Sequence, residues 1–290
     1  MEKVIEKAGV LIEALPYIQS FRGETVVVKL GGSAMEEQRH LESILTDVTF
    51  MECVGMLPVV VHGGGRAISR AMTAAGLTPR FVQGLRITDA AAIRVVATVL
   101  KTGVNADIVQ TLKRLGARAQ SVDGETVYRV VRRTGRNPDT GATVDWGFVG
   151  EIRSVDTVPV QTVLGRTAIP VVTPLGRGPD GQVYNLNADD AAAALAGALQ
   201  ARKLVFLSDV AGLLRNREDE NTLLSSLRIG EVEELIRTGV VDGGMLPKLR
   251  SCAQALAGGV RKIHIIDGRM PHSLLLEIFT DKGVGTEIIA

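Results

Sequence analysis

Residues Thr25 to Met35 read TVVVKLGGSAM. The β-branched run shows no alternation with polar residues, so it reads as a strand buried on both faces. Such a strand needs helices on each side of a parallel sheet, which makes this an α/β chain. Lys29 closes the run, and Gly31 and Gly32 follow at once. Either the lysine marks where the chain meets water, or a cation and bare backbone amides are aimed at an anion.

The flanking sequence repeats the pattern. TVVVKL is followed by a predicted helix near 38–54. LPVVVH leads into one from about Gly64 to Ala75, stopped by Gly76. Helical segments near 89–101 and 104–115 come next. Over 118–152, TVYRVVRR and DWGFVGEI flank the turn-rich TGRNPDTGAT, which predicts a hairpin leaving the main sheet. Its Arg129, Arg132, Arg133 and Arg136 read as a solvated face. AIPVVTPLG, KLVFLSDVAGLL, RKIHIID and GVGTEII read as strands, while 229–238, 244–257 and HSLLLEIF read as helices. This succession predicts a three-layer αβα sandwich around a mainly parallel sheet, with ligands at the carboxyl ends of the strands. A lobe boundary near 180–200 separates 23–195 from 196–290. Residues 1–22 stand apart. Val4, Ile5, Ala8, Leu11, Ile12 and Leu15 recur at helical spacing and pack either on the chain's own core or on a partner subunit.

The formal net charge of +1 excludes a protein held to nucleic acid by bulk charge. No run reaches the ~18 apolar residues of a membrane span. The start MEKVIEKAGV carries acids where a signal peptide would have none, so a cytoplasmic protein is expected. Cys53 and Cys252 lie in helical segments without C-x-x-C spacing and read as buried thiols.

Several chemistries find no support. No G-x-G-x-x-G is read after any strand, and no glycine precedes a lysine, so dinucleotide and P-loop sites are disfavoured. His40, His62, His264 and His272 show no metal-ligand spacing. What remains is a pair of glycine turns at strand ends, Gly31-Gly32 and Gly63-Gly64-Gly65, suited to holding one phosphate chain from two sides. Arg86 in QGLRITD reads on its own as a surface arginine, although arginine also grips carboxylates in bidentate fashion. Asn185, Asn187, Asp189 and Asp190 crowd a strand-to-helix junction, where capping is the simple reading. Lys248 falls early in a helix, unfavourably for the dipole unless an anion lies between.

VVVKLGGSAM, VVVHGGG, GLRITD, NLNADDAA, LSDVAGLL and DGGMLPKL, in this order and over nearly the whole chain, resemble the motifs of the amino-acid kinase family. The resemblance implies an αβα enzyme that transfers the γ-phosphoryl group of ATP to a carboxylate. It is strongest to the branch acting on N-acetyl-L-glutamate in arginine biosynthesis. By matching motifs, Lys29 and Lys248 stabilise the transferring phosphoryl group and Asp189 positions both. Gly64 and Gly65 offer amides, and Arg86 and Asn185 hold the substrate's α-carboxylate. Gly31, Gly32, Ser208, Asp209, Gly212, Leu213, Leu214 and Lys248 face the nucleotide. Mg2+ bridges the phosphates, with no tightly bound protein-ligated metal. Because the acceptor is already a carboxylate, no general base is needed, which accounts for the missing histidine machinery.

The resemblance extends to control. ALPYIQSFRG and HIIDGRMPHSLLLEIFTDKGVGTEI look like the extra helix and C-terminus of the arginine-inhibited forms, whose N-terminal helices interlace dimers into a homo-hexamer. Tyr17, Lys203, Glu277 and Gly285 match the arginine-binding positions; the plainer alternative for Glu277 is an exposed helix residue. A PII signalling protein is a partner of some relatives, and no residue here selects for or against it. Leu30, Ser33 and Arg66 depart from the tyrosine, asparagine and proline common in relatives. The rivals are a kinase for N-acetyl-aminoadipate and a non-catalytic arginine sensor. The N-terminal helix argues against the first, and the retained Lys29, Lys248 and Asp189 against the second.

Overall fold

The computed structural model describes residues 2–136, 143–216, 219–238, 245–280 and 283–290. The strands are β1 Thr25–Leu30, β2 Leu57–His62, β3 Phe81–Val82, β4 Leu85–Arg86, β5 Ala119–Val122, β6 Tyr128–Arg136, β7 Thr143–Val155, β8 Ile169–Val172, β9 Leu175–Arg177, β10 Val183–Asn185, β11 Lys203–Ser208, β12 Ser226–Arg228, β13 Lys262–Asp267 and β14 Thr286–Ile289. The helices are α1 Glu2–Phe21, α2 Gln38–Cys53, α3 Gly65–Ala74, α4 Ala90–Thr98, α5 Ala106–Arg114, α6 Gly124–Val127, α7 Val158–Leu164, α8 Ala188–Ala198, α9 Val232–Arg237, α10 Met245–Ala257 and α11 Ser273–Ile278.

Eight strands form the main sheet, ordered β12-β14-β13-β11-β1-β2-β8-β5. The opening stretch lies at its centre, with β1 parallel to β2 on one side and to β11 on the other. Its residues alternate between two cores. Val27 packs with α8, α10 and α7, whereas Val26, Val28 and Leu30 pack with α2, α5 and α11. Helices on both faces make the predicted three layers and explain why the strand shows no polar alternation.

The sheet is mainly parallel, as expected; the short α11 turns the chain back, so that β14 runs antiparallel to β13. Two expectations change. The hairpin does not belong to the main sheet. β6 and β7 pair with each other and close with β9 and β10 into a small barrel. The closure is tight, since a Cβ at Gly176 would come within 2.4 Å of Val130. The tip, 137–142, lies outside the described residues. The break predicted between two helices near residue 103 is instead a π-helical segment, Val99–Asn105, that joins α4 to α5.

Cys252 is buried as expected, but Cys53 is exposed. Cys53 falls two residues past the buried Met51, on the outer side of α2's last turn. Contrary to the expectation, one G-x-G-x-x-G does follow a strand: Gly176 to Gly181 turns between antiparallel β9 and β10, and it opens no helix. Of the α1 stripe, Ile12 and Leu15 are exposed, while the side chains of Val4, Ile5, Ala8 and Leu11 lie outside the described residues. Among the described residues no helix is long and apolar enough to cross a membrane.

Candidate active site

The parallel sheet sets three side chains around one point. Lys29 leaves the end of β1 on the same face as Val27, toward α8 and α10. Asn187 caps α8, its Oδ1 accepting from the amides of Asp189 at 2.7 Å and Asp190 at 3.2 Å. The cap fixes Asp189 in the first turn, between both lysines. Lys29 Nζ lies 2.7 Å from its Oδ1, and Lys248 Nζ, from α10, donates to its Oδ2 at 2.8 Å. The Lys248 ammonium also lies 4.9 Å from the Phe206 ring centroid.

All three groups are nearly dry. Burial alone would raise the Asp189 carboxyl, but Lys29 and Lys248 outweigh it and hold it well below the usual carboxylate range. Burial pulls the Lys29 ammonium below the ordinary lysine range; Asp189 opposes this and Lys248 adds to it. Two cations thus share the single carboxylate of Asp189 by direct contact, in a low-dielectric setting, with Asp209 acting on Lys29 as well. The cluster would therefore welcome further negative charge.

Both glycine turns open on one cavity of about 480 Å³, lined among others by Gly32, Gly64, Gly65, Arg66, Ser69 and Asp209. Gly32 has φ of +64°, in the left-handed region that favours glycine. A Cβ at Gly31 would fall 2.0 Å from Lys29 Nζ, so the missing side chain makes room for the lysine. Gly65 begins α3, which leaves the first amides of that helix without helical partners. Asp209 joins the cavity to the charged cluster, since its carboxylate acts on Lys29.

Arg86 is not a surface residue. It is buried, donating to Gly65 O and Ser69 Oγ, both at 2.8 Å, with its guanidinium carbon 4.6 Å from the Phe81 ring centroid. The β3–β4 ribbon sets it behind Gly65, Ser69 and Phe81, which line the cavity. Asn185 is half-buried at the end of β10, paired with Val149, two residues along β7 from the Gly147 that bridges to Thr88. Ser208 ends β11, and Gly212 follows with φ of +149° against Thr286. Leu213 is buried, its amide donating to Thr286 Oγ1 at 2.8 Å, and Leu214 bridges to Leu223. The DGG preceding Met245 lies outside the described residues.

Sequence reasoning missed two groups. His62 is fully buried just before the second glycine turn, its Nδ1 2.8 Å from Gly63 O and its Nε2 3.0 Å from Asn105 Nδ2. Burial pushes the imidazole down to about 4, so it is neutral and accepts at Nε2. Asn105 also donates to Val171 O at 2.9 Å and thereby ties the π segment to β2 and β8. The extra residue in the helical turn directs Asn105 inward. The sequence offered only a lone asparagine in a helix as a signal.

A second cavity, of about 660 Å³, lies where α1 meets the sheet's far side and is lined by Tyr17, Lys203, His264 and Glu277 among others. Glu277 is not an exposed helix residue: it is buried, accepting from the amides of Val284 at 2.8 Å and Gly285 at 3.2 Å. His264 Nδ1 lies 2.5 Å from its other oxygen. Burial would raise Glu277, but His264 and the Val284 amide hold it below the usual range. Lys203 is buried beside it and depressed by that burial. Gly285 cannot carry a side chain, since a Cβ there would meet Ile265 O at 2.2 Å.

The model of the Amino acid kinase family matches residues 24–267. The chain belongs to that family. It is 48% identical to the acetylglutamate kinase of Heliobacterium modesticaldum over 294 residues, with 100% of each chain covered. It is 49% identical to that of Pelotomaculum thermopropionicum, with 98% of each covered. Within the family it groups with the acetylglutamate kinases, phosphotransferases with a carboxyl group as acceptor.

Among solved structures it resembles an N-acetylglutamate synthase from Neisseria gonorrhoeae complexed with coenzyme A and N-acetyl-glutamate, at TM-score 0.83 and 29% identity, covering 98% of this chain and 63% of that one. The same synthase with coenzyme A and L-arginine gives TM-score 0.81 at 27% identity, covering 97% of this chain and 65% of that one. This chain thus spans less than two thirds of the synthase. A carbamate kinase from Giardia lamblia bound to AMP-PNP shares the fold at TM-score 0.67 and 16% identity, covering 92% of this chain and 98% of that one.

Proposed function

We propose that this chain phosphorylates the side-chain carboxylate of N-acetyl-L-glutamate with ATP, in arginine biosynthesis, and that arginine inhibits it. One observation carries the reading: Lys29 and Lys248 hold the two oxygens of one partly buried Asp189 beside a cavity that both glycine turns line.

In the proposed mechanism a carboxylate oxygen of the acceptor forms a bond to the γ-phosphorus as the bond to the bridging oxygen of ADP breaks. No proton is transferred. The transition state spreads charge over the phosphoryl oxygens, and the two ammonium groups meet it from opposite sides of Asp189. Gly32, Gly64 and Gly65 contribute amides. Arg86 and Asn185 orient the acceptor through its α-carboxylate. Ser208, Asp209 and the 212–214 turn serve the nucleotide. Mg2+ would arrive with the phosphates of ATP, which supply the oxygen ligands it favours. When bound, that ion would neutralise phosphate charge.

On this reading residues 23–195 bind the acceptor and 196–290 bind ATP, in a cytoplasmic enzyme. Arginine would occupy the second cavity, its guanidinium on Glu277, with Tyr17, Lys203 and the Gly285 backbone around it. The lining residues and the likeness to a synthase crystallised with L-arginine support this. The exposed Ile12 and Leu15 of α1 would join subunits into a hexamer.

The chain should be incubated with MgATP and either N-acetyl-L-glutamate or its one-carbon-longer homologue, with hydroxylamine trapping the acyl phosphate. Hydroxamate from N-acetyl-L-glutamate is expected. Its absence, or product from the homologue alone, would sink the reading.

A further inference from the structure

The NLNADDAA junction carries a second carboxylate that the chemistry above does not use. Asp190 follows Asp189 in the first turn of α8, under the same Asn187 cap. Its Oδ1 accepts from Ser251 Oγ at 2.7 Å, and its Oδ2 lies 3.4 Å from Arg133 of β6. Ser251 is fully buried on α10, three residues beyond Lys248 and so on the same helix face. Adjacent carboxylates on α8 thus hold adjacent positions on α10: Asp189 takes Lys248 and Asp190 takes Ser251.

The far ends of these two helices are fixed differently. A Cβ at Gly258 would come within 3.1 Å of Gly197 Cα, so the backbones touch there and neither glycine tolerates a side chain easily. Near the site, packing gives way to hydrogen bonds. The two bonds are not equivalent during catalysis. Asp189 is shared between two lysines, and Lys248, with one N–H spent on it, has two more donors to offer phosphoryl oxygens. Asp190 gives its Oδ1 to Ser251 alone. Arg133, which the sequence presents as one of a solvated row, adds a charge from the β6–β7 hairpin against Asp190's free oxygen.

We propose that Asp190 is a positioning residue, holding α10 through Ser251 so that the Lys248 ammonium stays in reach of the transferring phosphoryl group. The inference rests on the reading that Lys248 acts in that transfer.

Steady-state kinetics of the full chain with MgATP and N-acetyl-L-glutamate test it. Asp190→Ala and Ser251→Ala should each lower kcat about tenfold or more, as small misplacements of catalytic groups do. KM for N-acetyl-L-glutamate should stay within about twofold of wild type. Asp190→Asn keeps an acceptor for Ser251, and Ser251→Thr keeps the hydroxyl; both should recover most of the rate. Asp190→Ala should cost less than about twofold when added to Lys248→Ala, because its route to the reaction is already gone. If Asp190→Ala does not fold, Ser251→Ala and the Ser251→Thr rescue decide the matter. A Lys248→Ala enzyme with undiminished kcat would refute the role of Lys248 itself. The anchor alone fails if Lys248→Ala is impaired while Ser251→Ala matches wild type, or if the losses from Asp190→Ala and Lys248→Ala simply multiply.

Discussion

Asp189→Asn isolates the charge at the centre of the site while nearly conserving shape. The wild-type carboxylate is about 15% exposed and its two lysines about 10% and 9%, so solvent screens the pairs little. Removing one partner of a buried ion pair costs roughly 3–5 kcal/mol, because the charges left behind are uncompensated. Here two ammonium groups lose the same counter-ion, and Lys29 already lies below its ordinary range through burial and Lys248. For a chain of this size roughly 2 °C of Tm accompanies each kcal/mol, so the variant should melt about 6–10 °C lower at neutral pH.

The pH dependence has a definite sign. The Asp189 pKa is depressed on folding, so its contribution is complete above the unfolded value of about 3.9. It is lost as pH falls from there toward the folded value. The gap in Tm between wild type and variant should therefore be flat from about pH 5 to 7 and narrow below about pH 4. Calorimetry or circular dichroism across that range measures it. A Tm within about 2 °C of wild type at pH 7 would refute the claim that this carboxylate holds the two lysines together.

Three further outcomes are expected. Wild-type stability should decline as pH falls from 6.5 to about 4, because the unfolded chain takes up a proton that buried His62 refuses, and His62→Gln should flatten that slope in denaturant titrations. Glu277→Gln should weaken arginine inhibition at least about tenfold in the kinase assay while leaving kcat without arginine within about twofold, since a neutral amide cannot pair with a guanidinium; unchanged inhibition would exclude the second cavity as the arginine site. Deleting residues 1–20 should yield smaller oligomers by sedimentation and a shallower inhibition curve, and an unchanged hexamer would refute the role given to α1.

The central strand and the two glycine turns were legible because each is written locally, whereas the joint role of Lys29 and Lys248 came only from the family resemblance. A run such as TVVVKL can be buried on both faces in few other ways, and a glycine turn at a strand end declares close backbone approach. Arg86 by itself read wrongly for the opposite reason. Its burial, like that of Glu277, comes from other elements that local periodicity does not register: Ser69 of α3 and Phe81 of β3 for the arginine, the Val284 amide and His264 of β13 for the carboxylate. Cys53 misread as buried because helical spacing shows a stripe but not where its edge falls. The hairpin's home sheet depended on β9 and β10, strands too short to announce a partner.

By itself, then, the sequence determined the layers of the fold and the residues able to meet an anion, since periodicity and backbone freedom are properties of short stretches. Only the tertiary structure decided that Lys29 and Lys248, more than two hundred residues apart, share the two oxygens of Asp189. The same holds for Asp190, which stands beside Asp189 in sequence but grips Ser251 instead. Which oxygen faces which helix is set by how α8 and α10 pack, and no local rule encodes that.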